Sequence, residues 1–263
     1  MNLPPIQGNH NQKEFFIYAA CDHVYFTEFG AAFINSVRCN TDYDIHIHLF
    51  NPTPEQIDYC QRRGVGVTWE HVHQTLFVPA SRKWNVAPTQ EPARTHYDRT
   101  LNAIGKGQDS GVLERMQKTY YACARFIRLA ELCNNQTCLA IDIDAVVRRP
   151  VPFLESGPDF YIHHISGKRA RYLAGGIWLN NTTQCQQFLK LYADKLRASF
   201  EQDYVYWSLD QDVLDPIVPQ FNHAQLPVEY IDWNMQDRSY IWTAKGTRKN
   251  LAVFVNEQKK YIV

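Results

Sequence analysis

Three short apolar runs rich in β-formers, residues 15–21, 44–50 and 65–72, alternate with two stretches of helical spacing. In residues 26–37 the spacing puts Phe29, Ala32, Phe33 and Val37 on one face. Residues 54–63 open with Pro54 behind Thr53, which reads as an N-cap. A β-α-β-α-β order predicts a parallel sheet with right-handed crossovers, and hence an α/β fold. A chain of 263 residues, 45% of them hydrophobic, can fill the core of one such domain. Further on, residues 113–133 read as a long amphipathic helix, 159–165 and 174–179 as strands, and 183–200 as a helix with Phe188, Leu191, Tyr192 and Leu196 inward. Residues 251–255 read as a last strand. Between residues 74 and 113 periodicity is lost among Pro79, Pro88, Pro92, Gly105, Gly107 and Gly111. So long a break suggests a lid or an acceptor-binding excursion. No linker separates two domains, so one domain is expected over residues 1–263, with a nucleotide-binding half (15–144) and a sugar and acceptor half (145–263).

The chemistry concentrates in residues 137–147, Thr-Cys-Leu-Ala-Ile-Asp-Ile-Asp-Ala-Val-Val. These read as a buried strand ending in two acids. Residues i and i+2 of a strand share a side, so Asp142 and Asp144 would converge. Adjacent anions repel unless a positive charge lies between them. Mg²⁺ or Mn²⁺ held by carboxylate oxygens fits that need and leaves coordination sites for phosphates. Open α/β sheets also bind ligands at their strand ends. The competing reading is a strand end with two solvated acids.

Charge and composition narrow the classes. Lys plus Arg and Asp plus Glu balance at 27 each, which argues against a uniformly basic nucleic-acid binder. No apolar run approaches the roughly 20 residues of a membrane span. The polar, Pro-rich start lacks a secretory h-region, so a cytoplasmic location is expected. Seven scattered cysteines without a Cys-x-x-Cys pair read as reduced thiols. The sequons at Asn135, Asn180 and Asn181 then carry no message.

Five local patterns fall in order: Ala19-Ala20-Cys21-Asp22, Tyr121-Ala122-Cys123-Ala124-Arg125, Asp142-Ile143-Asp144, Ala174-Gly175-Gly176-Ile177-Trp178-Leu179-Asn180 and Leu209-Asp210-Gln211-Asp212-Val213-Leu214. Together, over residues 15–215, they resemble the GT-A nucleotide-sugar glycosyltransferases, and most closely the retaining family-8-like branch. The resemblance implies a nucleotide diphosphate donor, UDP-linked by preference, a divalent metal on Asp142 and Asp144, and retention of configuration. It implies that Arg125 braces the acidic segment and the nucleotide, that Asp210 binds donor-sugar hydroxyls, and that Gln211 lies beneath the anomeric carbon.

Each role has a physical rationale and a plainer rival. A cation at Asp142 and Asp144 would neutralise the diphosphate as it leaves. Arg125 could equally be a helix-surface ion pair. Asp22, at a strand's carboxyl end, suits the nucleoside, or it is an ordinary turn residue. Gly175 and Gly176 would let backbone approach the sugar, or form a bulge. Trp178 reads as core. A glutamine amide is a poor nucleophile, so Gln211 would lend electrostatic support. Its rival is a helix start enriched in acids.

The resemblance has one departure. The family's third metal ligand, a His near the C-terminus followed by Gly and Lys, is missing from residues 239–249, although Lys245 and Gly246 are present. His223 is the nearest upstream candidate. Otherwise the metal would rest on two acids, diphosphate and water, with Lys245 reaching the diphosphate as a point charge. Residues 245–249 alternatively form a solvated basic surface. The pairs His46/His48 and His71/His73 read as ordinary strand-face histidines, while His163 or His164 could touch the acceptor.

Two rival functions remain at this point. One is a haloacid-dehalogenase-like phosphatase using Asp142 as nucleophile, although that motif normally opens its domain. The other is a non-catalytic nucleotide-sugar-binding module. The acceptor is open among glycan, protein and modified DNA. Arg148, Arg149, residues 168–171 and residues 245–249 could form a basic rim for DNA. Oligomeric state is not legible.

Overall fold

A short strand absent from the sequence reading, β1 (Gln7–Asn9), precedes the expected series. β2 (Phe15–Asp22) leads through an α turn (His23–Tyr25) and a π turn (Phe26–Gly30) into α1 (Ala31–Asn40). β3 (Asp44–Phe50), α2 (Pro54–Arg62) and β4 (Gly66–Glu70) follow. A capping box starts α2, with Thr53 and Gln56 bonding each other's backbone. The computed structural model describes residues 3–10, 14–73, 109–154, 157–166, 171–202 and 206–262. Most of the irregular stretch, residues 74–108, lies outside them, and residues 109–113 open the next helix.

That helix is α3 (Asp109–Leu132), and β5 (Thr137–Ile141) and β6 (Val146–Val147) follow it. Then come β7 (Phe160–Ile165), β8 (Arg171–Leu179), α4 (Thr183–Glu201), α5 (Leu209–Ile217), β9 (His223–Gln225), β10 (Ile241–Trp242) and α6 (Ala252–Lys259). The expected last strand over 251–255 is therefore a helix. Leu251 and Val253 are exposed while Phe254 is fully buried and Glu257 and Gln258, one turn on, are nearly so. That burial follows a helical period and not an alternating one.

Eight strands form one mixed sheet in the order β1-β4-β3-β2-β5-β8-β7-β9. β2, β3, β4 and β5 run parallel, whereas β8 is antiparallel to both β5 and β7. β6 and β10 make a separate antiparallel ribbon. Successive residues of β2 feed opposite faces, as strands buried on both sides must. Phe16 and Tyr18 join the core beneath α3 and α4, and Ile17, Ala19 and Cys21 join the core beneath α1. Trp178 is fully buried, as its pattern suggests, and donates its indole N–H to Asn180 Oδ1 at 3.0 Å. No helix among the described residues is long and apolar enough to cross a membrane.

A polar seam runs through the α3 side of this core. Glu70 is fully buried, and its carboxylate accepts from Arg128 Nε at 2.6 Å and from the Tyr120 hydroxyl at 2.7 Å. Thr68 Oγ1 lies 2.9 Å from both His46 Nε2 and His48 Nδ1. Burial pushes both imidazoles far below their ordinary range, His46 to about 3, so they are neutral hydrogen-bonding rungs. Removing one member of a buried ion pair strands the other. Arg128→Met is expected to destabilise the fold by about 3–5 kcal/mol. Glu70→Gln in the same chain should recover part of that loss in urea denaturation.

Candidate active site

β5 ends at Ile141 because its ladder ends there, Ile141 being the last residue paired with β8. Residues 142–145 form a turn closed by the Ala145 N–H donating to the Asp142 carbonyl at 3.1 Å, and Val146–Val147 then join β10. This corrects the expectation of one strand through residue 147. Asp142 and Asp144 stand on a turn at the carboxyl end of β5, not at i and i+2 of a strand. The Asp144 side chain is 8% exposed, while that of Asp142 is 32% exposed. Burial, then the charge of Asp142, raises the Asp144 pKa to about 6, with Lys249 pulling the other way.

Arg125 ties three separate segments together. From α3 its guanidinium binds Asp142 Oδ1, donates to the Ala174 carbonyl at 3.1 Å, and reaches Asp210 Oδ2 at 3.4 Å. The Ala174 carbonyl is free for this because β8 bulges. Its register on β7 jumps from Ile162↔Ile177 to His163↔Leu173, leaving residues 174–176 unpaired with β7, while Gly176 still pairs with Ile141 of β5. Close approach favours both glycines. A Cβ on Gly175 would sit 3.2 Å from Asp142 Oδ2, and one on Gly176 would sit 1.7 Å from Ile231 Cδ1. Asp210 is delivered by α5, whose start is turned by Ser208 in a left-handed conformation (φ 76°). Its backbone carbonyl accepts the Tyr192 hydroxyl at 2.6 Å. Burial raises the Asp210 pKa against the opposing pull of Arg125.

The C-terminal segment closes the other side. Asp232 is fully buried and accepts from Asn234 N, Gln236 N and Ser239 Oγ at 2.6, 2.7 and 2.7 Å. This knot presents Trp233, whose ring edge lies 3.4 Å from a Cβ placed on Gly175. Thr243 Oγ1 donates to Asp144 Oδ1 at 3.2 Å, and Lys249 Nζ lies 2.5 Å from Asp144 Oδ2. Lys245 has its Nζ 5.9 Å from the Trp233 ring centroid. Burial lowers its pKa against the pull of Asp142 and Asp210.

The sequence reading missed Thr243, Lys249, Trp233 and Asp232. It set Lys249 in a solvated run, and no local pattern marks the other three. A hard divalent cation takes about six oxygen ligands. Here Arg125 occupies Asp142 Oδ1, while Lys249 and Thr243 occupy both oxygens of Asp144. No group of three or more His, Cys, Asp or Glu that could hold a metal exists among the described residues. As arranged, the donor set leaves Asp142 Oδ2 alone and does not fit a resident Mg²⁺ or Mn²⁺. His223, the upstream candidate, lies on the far edge strand and pairs with the Tyr172 hydroxyl at 3.1 Å.

Two expected residues make no side-chain hydrogen bond to this cluster. Asp22 accepts the Tyr25 N–H at 2.9 Å and so caps the turn after β2. Gln211 follows Asp210 in the first turn of α5, partly buried, with no side-chain hydrogen bond to a described residue. His163 is 5% exposed and packs edge-on to Trp233 at 4.9 Å, while His164 is exposed against Tyr172. Burial lowers the His163 pKa from 6.5 to about 4. A depressed imidazole pKa means that the unfolded chain takes up the proton first. Its stabilisation is full above pH 6.5 and is lost as pH falls towards 4, about 3 kcal/mol in all. His163→Leu should flatten the melting temperature against pH across that window.

Part of the basic rim is neutralised where it is described. Arg148 stacks on Trp242 at 3.5 Å and pairs with Glu257 at 3.3 Å. Arg171 pairs with Asp212, and Lys249 with Asp144. Residues 168–170 lie outside the described residues.

A half-parallel sheet with an antiparallel return, and an acidic turn at the carboxyl end of its central strand, define the GT-A glycosyltransferase class of fold. The chain has that fold. Among solved structures it superposes on the galactosyltransferase LgtC in complex with donor and acceptor sugar analogues, with a TM-score of 0.52 and 12% identity over 94% of this chain and 96% of that one. It also superposes on apo GlyE of Streptococcus pneumoniae, with a TM-score of 0.55 and 12% identity over 94% of this chain. The bifunctional glycosyltransferase WbbM in its apo form gives a TM-score of 0.53 and 13% identity over 97% of this chain. The chain spans 60% of the length of GlyE and 51% of WbbM. No family model matches the sequence, and no curated protein does.

Proposed function

We propose that the protein transfers a sugar from a nucleotide diphosphate donor, UDP-linked by preference, to a hydroxyl acceptor, with retention of configuration. The observation that carries the reading is Arg125, which draws the acidic turn, the β8 bulge and the start of α5 onto one wall. A solvated strand end would not be built around a buried guanidinium. The fold likeness agrees with this, since LgtC was solved with donor and acceptor sugar analogues. A structure of an active-site glutamine variant of LgtC also exists, and Gln211 is the glutamine of the matching pattern here.

In this reading Lys245, an ammonium without an ion-pair partner among the described residues, meets the donor's diphosphate. Asp210 orients sugar hydroxyls, with Arg125 holding the carboxylate ionised. The anomeric C–O bond breaks with its electron pair leaving on the diphosphate. Gln211 presents its amide oxygen to the positive charge that develops on the sugar. The acceptor oxygen bonds to the same face, and its proton passes to the departing phosphate oxygen. The bulged Gly175 and Gly176 keep the sugar's approach clear of side chains. Asp22, beyond its capping duty, borders the place for the nucleoside.

The phosphatase alternative sits poorly with these contacts. A nucleophilic Asp142 would have to attack with one oxygen clamped by Arg125. A panel of nucleotide sugars tested for thermal protection should single out UDP-linked donors, because a ligand selective for the folded state raises its melting temperature. Protection by no nucleotide sugar, together with hydrolysis of a generic phosphomonoester, would reverse the assignment. NMR of the product's anomeric proton tests retention.

A further inference from the structure

Resting on the nucleotide-sugar reading, we infer that Lys249 fills the position of a divalent cation on Asp144, so that this chain binds the donor diphosphate without a metal. Lys249 is a built-in group, not a wandering surface lysine. Its Nζ lies 2.5 Å from Asp144 Oδ2 and 3.2 Å from the Tyr25 hydroxyl. The same nitrogen stands 4.4 Å from the Tyr25 ring centroid and 5.2 Å from that of Phe29. Its side chain is 19% exposed. The rings of Tyr25 and Phe29, the Tyr25 hydroxyl and a buried carboxylate thus surround one ammonium.

The other Asp144 oxygen is closed as well. Thr243 stands within the stretch where the resemblance calls for a histidine ligand, and its hydroxyl bonds Oδ1 at 3.2 Å. A hydroxyl and an ammonium stabilise the carboxylate in place, whereas a histidine would add a lone pair for a metal. On the neighbouring acid, Arg125 holds Oδ1. A divalent ion entering here would have to displace Lys249 from a partly desolvated pair and leave that ammonium facing it. Lysine as a compact point charge can neutralise phosphate oxygens from where it stands, alongside Lys245.

The test uses the full chain, stripped with EDTA and desalted. Mn²⁺ is titrated in and followed by electron paramagnetic resonance, and UDP binding is followed by melting temperature in EDTA and in Mn²⁺. The expected result is a free-Mn²⁺ spectrum undiminished by wild type, with equal UDP protection in the two buffers. Lys249→Ala should open Asp144 and tighten Mn²⁺ binding by about tenfold or more. Added Mn²⁺ should then raise the melting temperature of that variant but not of wild type. Wild-type quenching of the Mn²⁺ signal that Asp144→Asn removes, or UDP protection seen only with Mn²⁺, would overturn the inference. If UDP protects in neither buffer, the donor reading falls, and the Mn²⁺ spectra of wild type and Lys249→Ala still decide the metal question.

Discussion

Arg125→Met is expected to lower stability by about 3–5 kcal/mol, because it strands Asp142 and buried Asp210 without their common cation. For a chain of this size that is a fall in melting temperature on the order of 10 °C. The Ala174 carbonyl, held outside the ladder, loses its donor at the same time. Turnover should vanish with the site. Arg125→Lys retains the charge but not the three-way fork, so it should recover part of the stability and little of the activity. Urea denaturation with donor turnover on both variants checks the prediction. An unchanged midpoint for Arg125→Met would show that the guanidinium does not hold these segments together.

Asp210→Asn should separate catalysis from folding. Burial raises the Asp210 pKa, so its ionised form is disfavoured in the folded state. For an acid shifted upward, the favourable term is present below the unfolded pKa and is lost as pH rises through the folded one. At neutral pH the charge is therefore a net cost that Arg125 only partly offsets. The isosteric amide should leave stability unchanged or slightly higher, while turnover falls by roughly 10²–10³-fold, as for loss of one preorganised electrostatic contact. The stability gap between variant and wild type should widen as pH rises. A variant with lower stability and full turnover would make Asp210 structural.

The first half of the fold was readable because β2 and β3 are buried on both faces, and such strands appear as near-continuous apolar runs. The capping signal at Thr53 was equally local. The last quarter was not readable for the opposite reason. β9 and β10 have three and two residues, too few to show a period. Residues 251–255 mix aromatic and β-branched types in a helix, where tertiary burial of Phe254 overrides propensity. At the site, Arg125, Asp142 and Asp210 were all singled out from sequence, and the structure brings them into contact. Lys249 was passed over because an ion pair between residues 144 and 249 leaves no local trace.

The long reach of that pair bears on how the chain matures during synthesis. Thr243 and Asp144 bond across a separation of 99 residues, and Val146–Val147 find their only strand partner among the described residues in Ile241–Trp242. A ribosome that has released β2 to β5 holds a sheet whose central turn still lacks its ammonium and its hydroxyl. Contacts so far apart form late. Ligand competence should therefore arrive with residues 241–249, after most of the hydrophobic core has already closed.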